Sequence, residues 1–252
     1  MTGPRIAAAL VHVYTASGVL LALAATIEIC SAAPDPRYVF LALAAAVMVD
    51  ATDGPLARRA DVKQWMPSID GRTIDDIVDY LTYTFVPLLL VWRMGWLPDP
   101  AVLWIAPALV ASLFGFANTA AKDETGGFFL GFPSYWNVVA FYAGFVHSLY
   151  GPWVNAAALL LLALLTVLPV RFLYPNLAPR PWRGPLIVGA LAWLGLMLWL
   201  LTDYPEAEAW LVWLSLVYPA FYFWLSYHLA VHPGTIRPPH APSEQSSSDL
   251  RL

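Results

Sequence analysis

The sequence predicts an all-α integral membrane protein, a polytopic bundle of about eight transmembrane helices. Of the 252 residues, 60% are hydrophobic and only 12% are charged. The mean hydropathy is +0.63. Apolar runs of about 20 residues, the length that crosses a bilayer, recur along the whole chain. These values exclude an ordinary soluble domain.

Eight apolar segments are candidate membrane spans. In chain order they are Ile6 to Ala25, Tyr38 to Ala57, Asp75 to Trp96, Ala101 to Ala121, Tyr135 to Tyr150, Trp153 to Leu173, Gly184 to Leu201 and Trp210 to Val231. The fifth segment is short, and the second and third carry charged residues. Together they predict one transmembrane domain over residues 1–231.

The two ends of the chain differ from the rest. Residues 1–33 end in small residues, as a signal peptide does. Their apolar run is longer than the 7 to 15 residues usual for the apolar region of a signal peptide, which favours a retained membrane anchor. Residues 232–252 are rich in Pro and Ser, which predicts a disordered cytoplasmic tail. The single cysteine, Cys30, excludes an internal disulfide.

Positive residues predict the orientation, because Lys and Arg stay on the cytoplasmic side of a membrane. With the N-terminus inside, only Arg37 and Arg93 of the 13 Lys and Arg residues fall on the outer face. The other eleven are Arg5, Arg58, Arg59, Lys63, Arg72, Lys122, Arg171, Arg180, Arg183, Arg237 and Arg251. This asymmetry predicts an even number of spans with both termini in the cytoplasm.

A charged stretch interrupts the apolar pattern. Between Val47 and Phe85 the chain places seven carboxylates and four basic side chains. An Asp at the centre of a membrane helix costs about 2.5 to 3.5 kcal/mol on insertion scales. Charges that extend into apolar runs therefore need a compensating partner.

The spacing of the acidic residues suggests that partner. Asp50 and Asp53 are three residues apart, and Asp75 and Asp79 are four apart, so each pair projects from one side of its own helix. Two such helices facing each other would bring together the oxygen ligands that hard divalent cations require. Two ions can clamp a phosphoryl group during transfer. Ordinary loop charges, paired with the neighbouring basic residues, do not need these spacings.

The same residues carry a family resemblance. The pattern Asp50-x2-Asp53-Gly54-x2-Ala57-Arg58, then twelve residues, then Gly71-x3-Asp75-x3-Asp79 resembles the signature of the CDP-alcohol phosphotransferases. The long spacer resembles the phosphatidylcholine synthase branch of that family. So do the segments "VKQWMPSIDG", "DIVDYLTYTFVPLLL", "GFFLGFPSYWNVVAFY" and "LPVRFLYP".

The resemblance implies the CDP-alcohol phosphotransferase fold and a metal-dependent transfer. Asp50, Asp53 and Asp75 would hold two Mn²⁺ or Mg²⁺ ions, and Asp79 would be the general base and a further metal ligand. The donor would be CDP-diacylglycerol and the acceptor free choline, giving phosphatidylcholine and CMP. Relatives of this kind are homodimers in the bacterial inner membrane, with the active site on the cytoplasmic side.

The resemblance also assigns residues to the donor. The pyrophosphate would lie on the metals, the cytidine would pack where Gly54 and Ala57 leave room, Arg58 would contact phosphate, and Gly71 would also belong to the CDP-diacylglycerol site. Thr15, with His12 and Gly18, lies on the side of the first span where relatives place part of the nucleotide pocket, although helix packing explains these three equally well. Arg171, at the end of the sixth span, would meet a lipid phosphate or simply extend to the interface.

Choline is a quaternary ammonium, which aromatic faces hold, sometimes with a carboxylate nearby. The loop "KDETGGFFLGFPSYWN" offers both. The candidate contacts are Asp123, Glu124, Phe128, Phe129, Phe132, Tyr135 and Trp136 in that loop, and Tyr80 and Tyr83 after Asp79. Interfacial or core packing is the alternative for these aromatic residues. Asp76, the extra acid, is interpreted as a surface or supporting charge.

Two other functions are compatible with parts of the pattern. The same chemistry could serve another alcohol, such as serine, glycerol phosphate or inositol phosphate. A transporter would instead place acids in several spans near the middle of the membrane. No basic patch suggests nucleic acid.

Overall fold

The structure is a computed structural model that describes residues 3–118, 122–123, 127–175 and 178–231. The predicted tail, residues 232–252, lies outside the described residues. The α-helices are α1 Gly3–Ala16, α2 Gly18–Ile29, α3 Pro36–Arg59, α4 Val62–Trp65, α5 Gly71–Asp79, α6 Val86–Arg93, α7 Val102–Ala117, α8 Trp136–Tyr150, α9 Pro152–Val167, α10 Arg180–Leu200, α11 Ala209–Ser215 and α12 Val217–Val231. A π-helical turn, Tyr80–Phe85, joins α5 to α6, and a 3₁₀ turn, Leu201–Asp203, follows α10.

The helices agree with an all-α membrane protein. Each of the eight predicted segments contains a helix. Four helical stretches of the described chain are long and apolar enough to cross a bilayer, and they run over Gly3–Ile29, Pro36–Arg59, Arg180–Asp203 and Ala209–Val231. Val102–Ala117 and Pro152–Val167 are apolar but shorter. The number of membrane spans stays a prediction.

A small antiparallel sheet was not predicted. Its strands are β1 Lys122–Asp123, β2 Phe128–Leu130 and β3 Arg171–Leu173, in the order β1-β2-β3. The sixth apolar segment was predicted to run to Leu173, but α9 ends at Val167. The residue before a proline is biased towards extended backbone, and Leu168, before Pro169, has φ −77° and ψ 142°. The chain therefore leaves the helix and forms β3.

The sheet is attached to the helical bundle on both sides. In α12, the Tyr222 hydroxyl donates to the Leu173 carbonyl oxygen at 2.8 Å, and the Ser226 hydroxyl accepts from the Leu173 N–H at 3.1 Å. After β2, the Phe132 N–H donates to the carbonyl oxygen of Leu165 in α9 at 2.9 Å. These bonds fix the chain between β2 and α8 over one end of the bundle.

Two clusters of buried apolar residues hold the fold together. The larger one packs α2, α3 and α6 against α7, α8 and α9, and includes Leu43, Leu88 and Leu159. The smaller one joins the sheet to α10 and α12 through Phe128, Leu173 and Leu186, among others. Large apolar side chains also cover the exterior, which is the pattern of a protein surrounded by lipid rather than water.

The end of the bundle opposite the charged stretch is marked by other contacts. The guanidinium of Arg93, the last residue of α6, donates to the carbonyl oxygen of Ser31, between α2 and α3, at 3.1 Å. Arg37 pairs with Asp35 in the same turn at 2.6 Å. The two arginines that the charge count assigned to the outer face therefore lie at one end of the molecule.

Candidate active site

Three carboxylates from two helices meet at one point. Asp50 lies in α3, and Asp75 and Asp79 lie one turn apart in α5. One oxygen atom from each lies within 4.8 Å of the others, and all three residues are partly buried. The predicted convergence of the two acidic helices is therefore observed for these three residues.

Helix α5 begins where its sequence provides a cap. The Asp70 carboxylate accepts hydrogen bonds from the Arg72 N–H at 3.0 Å and from the Thr73 hydroxyl at 2.9 Å. Such a cap satisfies donors that the first helical turn leaves unpaired. The two hydrogen bonds, that from Thr73 first, hold the pKa of Asp70 below its usual range. The cap fixes the start of the helix that carries Asp75 and Asp79.

The acidic group carries a large electrostatic cost when no cation is bound. At an effective dielectric constant of 20, two unit charges 4.8 Å apart repel each other by about 3 kcal/mol. Three oxygen donors at this spacing match the ligand preference of Mg²⁺ and Mn²⁺. The donor set therefore fits a divalent cation.

Asp53 and Asp76 lie outside this group. Successive α-helical residues turn by about 100°, so Asp53 is rotated about 60° from Asp50, and its side chain is buried, with 7% of its surface exposed. Asp76 forms an ion pair with Arg72 at 3.5 Å, one turn earlier in α5. A metal-binding role for Asp53 stays a prediction, and the interpretation of Asp76 as a supporting charge agrees with its pairing.

A cavity of about 290 Å³ opens beside the acidic group. Its walls come from α3, α5, the π-helical turn, α7, α9, β2, the chain between β2 and α8, and the residue after β3. The lining residues with side chains that can bind or shape a ligand are Asp50, Arg72, Asp75, Asp76, Asp79, Tyr83, Phe116, Asn118, Phe129, Phe132, Ser134, Tyr135, Thr166 and Tyr174. Carboxylates and aromatic rings thus share one cavity.

Tyr83 and Tyr135 are two of the four predicted choline contacts that line this cavity. The Tyr83 hydroxyl donates to Oδ2 of Asp50 at 2.7 Å. The rings of Tyr83 and Tyr135 are tilted towards each other with centroids 6.1 Å apart. Phe129 and Phe132, from the same predicted loop, also line the cavity.

The other predicted choline contacts lie elsewhere or outside the described residues. Trp136 is fully buried, and its indole N–H donates to the Ser112 hydroxyl at 2.6 Å. The Tyr80 hydroxyl donates to the Leu109 carbonyl oxygen at 3.2 Å. Neither side chain lines the cavity, so packing accounts for their positions. Glu124 lies outside the described residues.

Four of the predicted donor-binding residues lie in α1, in α3 and at the start of α5, and none of the four lines the cavity. Arg58 lies one turn after Gly54 in α3, and a Cβ atom added at Gly54 would lie 3.5 Å from an Nη atom of Arg58. Gly71 faces α1, since a Cβ atom there would lie 3.1 Å from Cε1 of His12. Thr15 is buried in α1, and its hydroxyl donates to the Val11 carbonyl oxygen at 3.3 Å.

The last two donor-binding candidates differ in exposure. Ala57 is partly buried in the last turns of α3. Arg171 is exposed at the start of β3 instead of ending a membrane helix. Neither residue lines the cavity described above.

Several cavity residues were not predicted as site residues. Arg72 follows Gly71 of the motif directly, so its position could have indicated it. Phe116 and Asn118 at the end of α7, Thr166 in α9 and Tyr174 after β3 reach the cavity only through the tertiary fold. No local pattern in the sequence marks these four residues.

Comparisons with known proteins agree with the motif. No protein-family model matches the chain. It is 44% identical over 166 residues to a phosphatidylcholine synthase of Pseudomonas aeruginosa, covering 66% of this chain and 68% of the relative. It is 34% identical over 207 residues to a phosphatidylcholine synthase of Rhizobium meliloti, covering 80% and 82%. A phosphatidylcholine synthase of Agrobacterium fabrum is 33% identical over 205 residues, with coverage of 80% and 82%. At these identities and coverages, the chain belongs to the phosphatidylcholine synthase family.

Proposed function

We propose that the protein is a CDP-diacylglycerol–choline O-phosphatidyltransferase, which transfers the phosphatidyl group of CDP-diacylglycerol to free choline. The products are phosphatidylcholine and CMP. The observation that carries this proposal is the convergence of Asp50, Asp75 and Asp79 beside an aromatic cavity. Membership of the phosphatidylcholine synthase family supports the choice of donor and acceptor.

The acidic group is the proposed site of two Mn²⁺ or Mg²⁺ ions. Asp50, Asp75 and Asp79 supply oxygen donors, and Asp53 is proposed as a further ligand, following the motif. When bound, divalent cations neutralise the pyrophosphate charge and stabilise the oxygen that leaves with CMP. The close spacing of the three carboxylates supports a cation between them.

The transfer itself requires one proton to move. The choline hydroxyl oxygen attacks the phosphorus atom that carries diacylglycerol, and the bond from that phosphorus to the bridging oxygen of CMP breaks. The proton of the choline hydroxyl passes to the carboxylate of Asp79, and CMP leaves with the bonding electron pair. Positioning and charge neutralisation supply most of the catalysis in such a transfer.

The donor is proposed to lie along α3 and the start of α5. Gly54, Ala57 and Gly71 leave room for the nucleotide, and Arg58 contacts phosphate. Thr15 completes the nucleotide side, and Arg171 contacts the lipid phosphate. His12 of α1 fills the space beside Gly71, so the assignment of Gly71 to the donor site rests on the motif.

Choline is proposed to bind in the cavity, against aromatic faces and near the carboxylates. Tyr135 and Tyr83 line it together with Phe129 and Phe132. Aromatic faces attract a quaternary ammonium because the ring face carries negative charge. Glu124 remains a candidate from the sequence.

The molecule is proposed to be a homodimer of the bacterial inner membrane with the CDP-alcohol phosphotransferase fold. Eight spans place both termini and the active site on the cytoplasmic side. The position of Arg37 and Arg93 at the end opposite the acidic group supports this orientation.

An acceptor comparison tests the function. Purified protein in detergent, with CDP-diacylglycerol and Mn²⁺, receives labelled choline, serine, inositol phosphate or glycerol phosphate in separate reactions. We expect labelled phosphatidylcholine with choline, no product with the other three acceptors, and no product after metal removal by a chelator. A product with another acceptor, or none with choline, refutes the assignment.

A further inference from the structure

Tyr83 connects the two helices of the acidic group. Its hydroxyl lies 2.7 Å from Oδ2 of Asp50, across the gap between the π-helical turn and α3. Asp50 is the one member of the group that α5 does not carry. The bond therefore ties the carboxylate of α3 to the chain segment that holds the other two.

The π-helical turn explains how Tyr83 reaches this position. Asp75, Asp79 and Tyr83 are spaced four residues apart, and in a continuous α-helix each step of four advances the side chain by about 40° around the axis. A π-helix closes its hydrogen bonds over five residues rather than four, so each residue turns by less than 100°. The π turn over Tyr80–Phe85 therefore rotates Tyr83 back towards the line of the two aspartates.

An aspartate carboxylate needs such a partner to keep one orientation. The terminal torsion of Asp is broad, so its two oxygen atoms exchange places readily. A hydroxyl that donates to one oxygen restricts this rotation. Carboxylates that bind metals are commonly held in this way, and loss of the holding group typically costs about 10- to 100-fold in metal affinity or activity.

We propose that Tyr83 is a positioning residue, whose hydroxyl orients the Asp50 carboxylate for cation binding. The inference rests on the proposed function, since it concerns the same acidic group. It assigns to Tyr83 a role that differs from forming a wall of the choline site, because the hydroxyl acts on Asp50 while the ring faces Tyr135. The two roles predict different defects when only the hydroxyl is removed.

The variant Tyr83→Phe tests the proposal, because it keeps the ring and removes the hydroxyl. Mn²⁺ is titrated into purified protein without any substrate, and free Mn²⁺ is measured by electron paramagnetic resonance. We expect Mn²⁺ to bind about 10- to 100-fold more weakly than to the wild type. In the transfer assay, the Mn²⁺ concentration for half-maximal rate rises correspondingly, while the KM for choline stays within about twofold of its wild-type value.

Tyr14→Phe is the matched control. The Tyr14 hydroxyl is also hydrogen-bonded to α3, at 2.7 Å from Oγ1 of Thr52, but it does not contact a carboxylate of the group. The same chemical change at this position leaves Mn²⁺ affinity unchanged. Thermal denaturation and size-exclusion chromatography of both variants show whether each is folded.

The variant Asp50→Asn provides a second test that does not depend on the absolute affinity of Tyr83→Phe. If Tyr83 acts through Asp50, adding Tyr83→Phe to Asp50→Asn weakens Mn²⁺ binding by less than about twofold, because interacting residues are not additive. Full additivity of the two defects overturns the proposal. A folded Tyr83→Phe variant with wild-type Mn²⁺ affinity also overturns it, and so does a folded variant in which only the KM for choline changes.

The Mn²⁺ titration is independent of the acceptor, so a wild-type protein that makes no phosphatidylcholine refutes the proposed function without deciding the role of Tyr83.

Discussion

Gly18 of α2 packs so closely against Val78 of α5 that a Cβ atom added at Gly18 would lie 2.5 Å from Cγ1 of Val78. Val78 is buried, and it lies between Asp75 and Asp79 in the sequence. Small residues allow helices in a membrane to approach each other in this way. The contact therefore sets how far the acidic helix stands from its neighbours.

Replacing Gly18 with Ala should displace α5. Val is β-branched and stiff, so the added methyl group must move the helix, and overpacking of this kind costs about 1 to 3 kcal/mol. We expect lower thermal stability in detergent and a lower rate of phosphatidylcholine formation. Gly195→Ala is the control, since nothing lies within 4 Å of a Cβ atom added there in α10. Equal effects of the two substitutions would show that the contact with Val78 is unimportant.

Gly131 should be equally intolerant of a side chain. It has φ +88°, and an added Cβ atom would collide with the Thr166 carbonyl oxygen of α9. The residue lines the cavity, so Gly131→Ala should move the chain between β2 and α8 and reduce transfer. The measurements are the Tm and the KM for choline.

Gly151→Ala separates the effect of a positive φ from the effect of the collision with Thr166. Gly151 also has a positive φ, +79°, but nothing lies within 4 Å of its added Cβ atom. A positive φ strains a non-glycine residue by about 1 to 3 kcal/mol, and both variants carry such a strain. Only Gly131→Ala should show a further loss of activity. If both variants lose activity to the same degree, the collision with Thr166 has no role.

The neighbours Asp75 and Asp76 should respond differently to the same substitution. Asp75 belongs to the acidic group, whereas Asp76 pairs with Arg72 in a partly exposed ion pair, and such pairs contribute little. Asp75→Asn should therefore reduce transfer at least about 100-fold, while Asp76→Asn should keep activity within a few-fold of wild type. Initial rates at saturating Mn²⁺ distinguish them, and a comparable loss in both variants would place Asp76 in the metal site as well.

The cap at Asp70 predicts a dependence on pH. Its hydrogen bonds lower the pKa of the folded state. The carboxylate therefore contributes its full stabilisation above the unfolded pKa of about 3.9, and this contribution disappears as the pH falls through the lower folded value. The difference in Tm between wild type and Asp70→Ala should be constant from pH 7 to pH 5 and shrink below about pH 4. A difference that does not shrink at all as the pH falls below 4 would contradict this role of the carboxylate.

The elements that were predictable depend on local patterns. Apolar runs located the eight helical segments, because a helix surrounded by lipid needs a long run without charge. The spacing of Asp75 and Asp79, together with Asp50 at the end of another apolar run, indicated a shared site. The spacing between Asp50 and Asp53 did not decide whether Asp53 faces the acidic group, because a step of three residues leaves about 60° between two side chains.

Other features depend on tertiary contacts that no local pattern carries. The strands β2 and β3 are three residues each, and they pair although α8 and α9 separate them in the sequence. The π-helical turn after Asp79 changes the direction in which the Tyr83 side chain leaves the helix axis, and nothing in "YLTYTF" marks this turn. Residue type also failed to separate a buried Trp136 from a cavity-lining Tyr135, because aromatic residues serve both packing and binding.

If the acidic group catalyses transfer to choline with Asp79 as the base, the substitution Asp79→Asn removes the group that accepts the proton. The measurement is Mn²⁺-dependent formation of labelled phosphatidylcholine from CDP-diacylglycerol and choline, with the variant and the wild type at equal amounts of folded protein. We expect no product above background from Asp79→Asn, with a size-exclusion profile like that of the wild type. Turnover at the wild-type rate in this variant would contradict the role of Asp79 as the base.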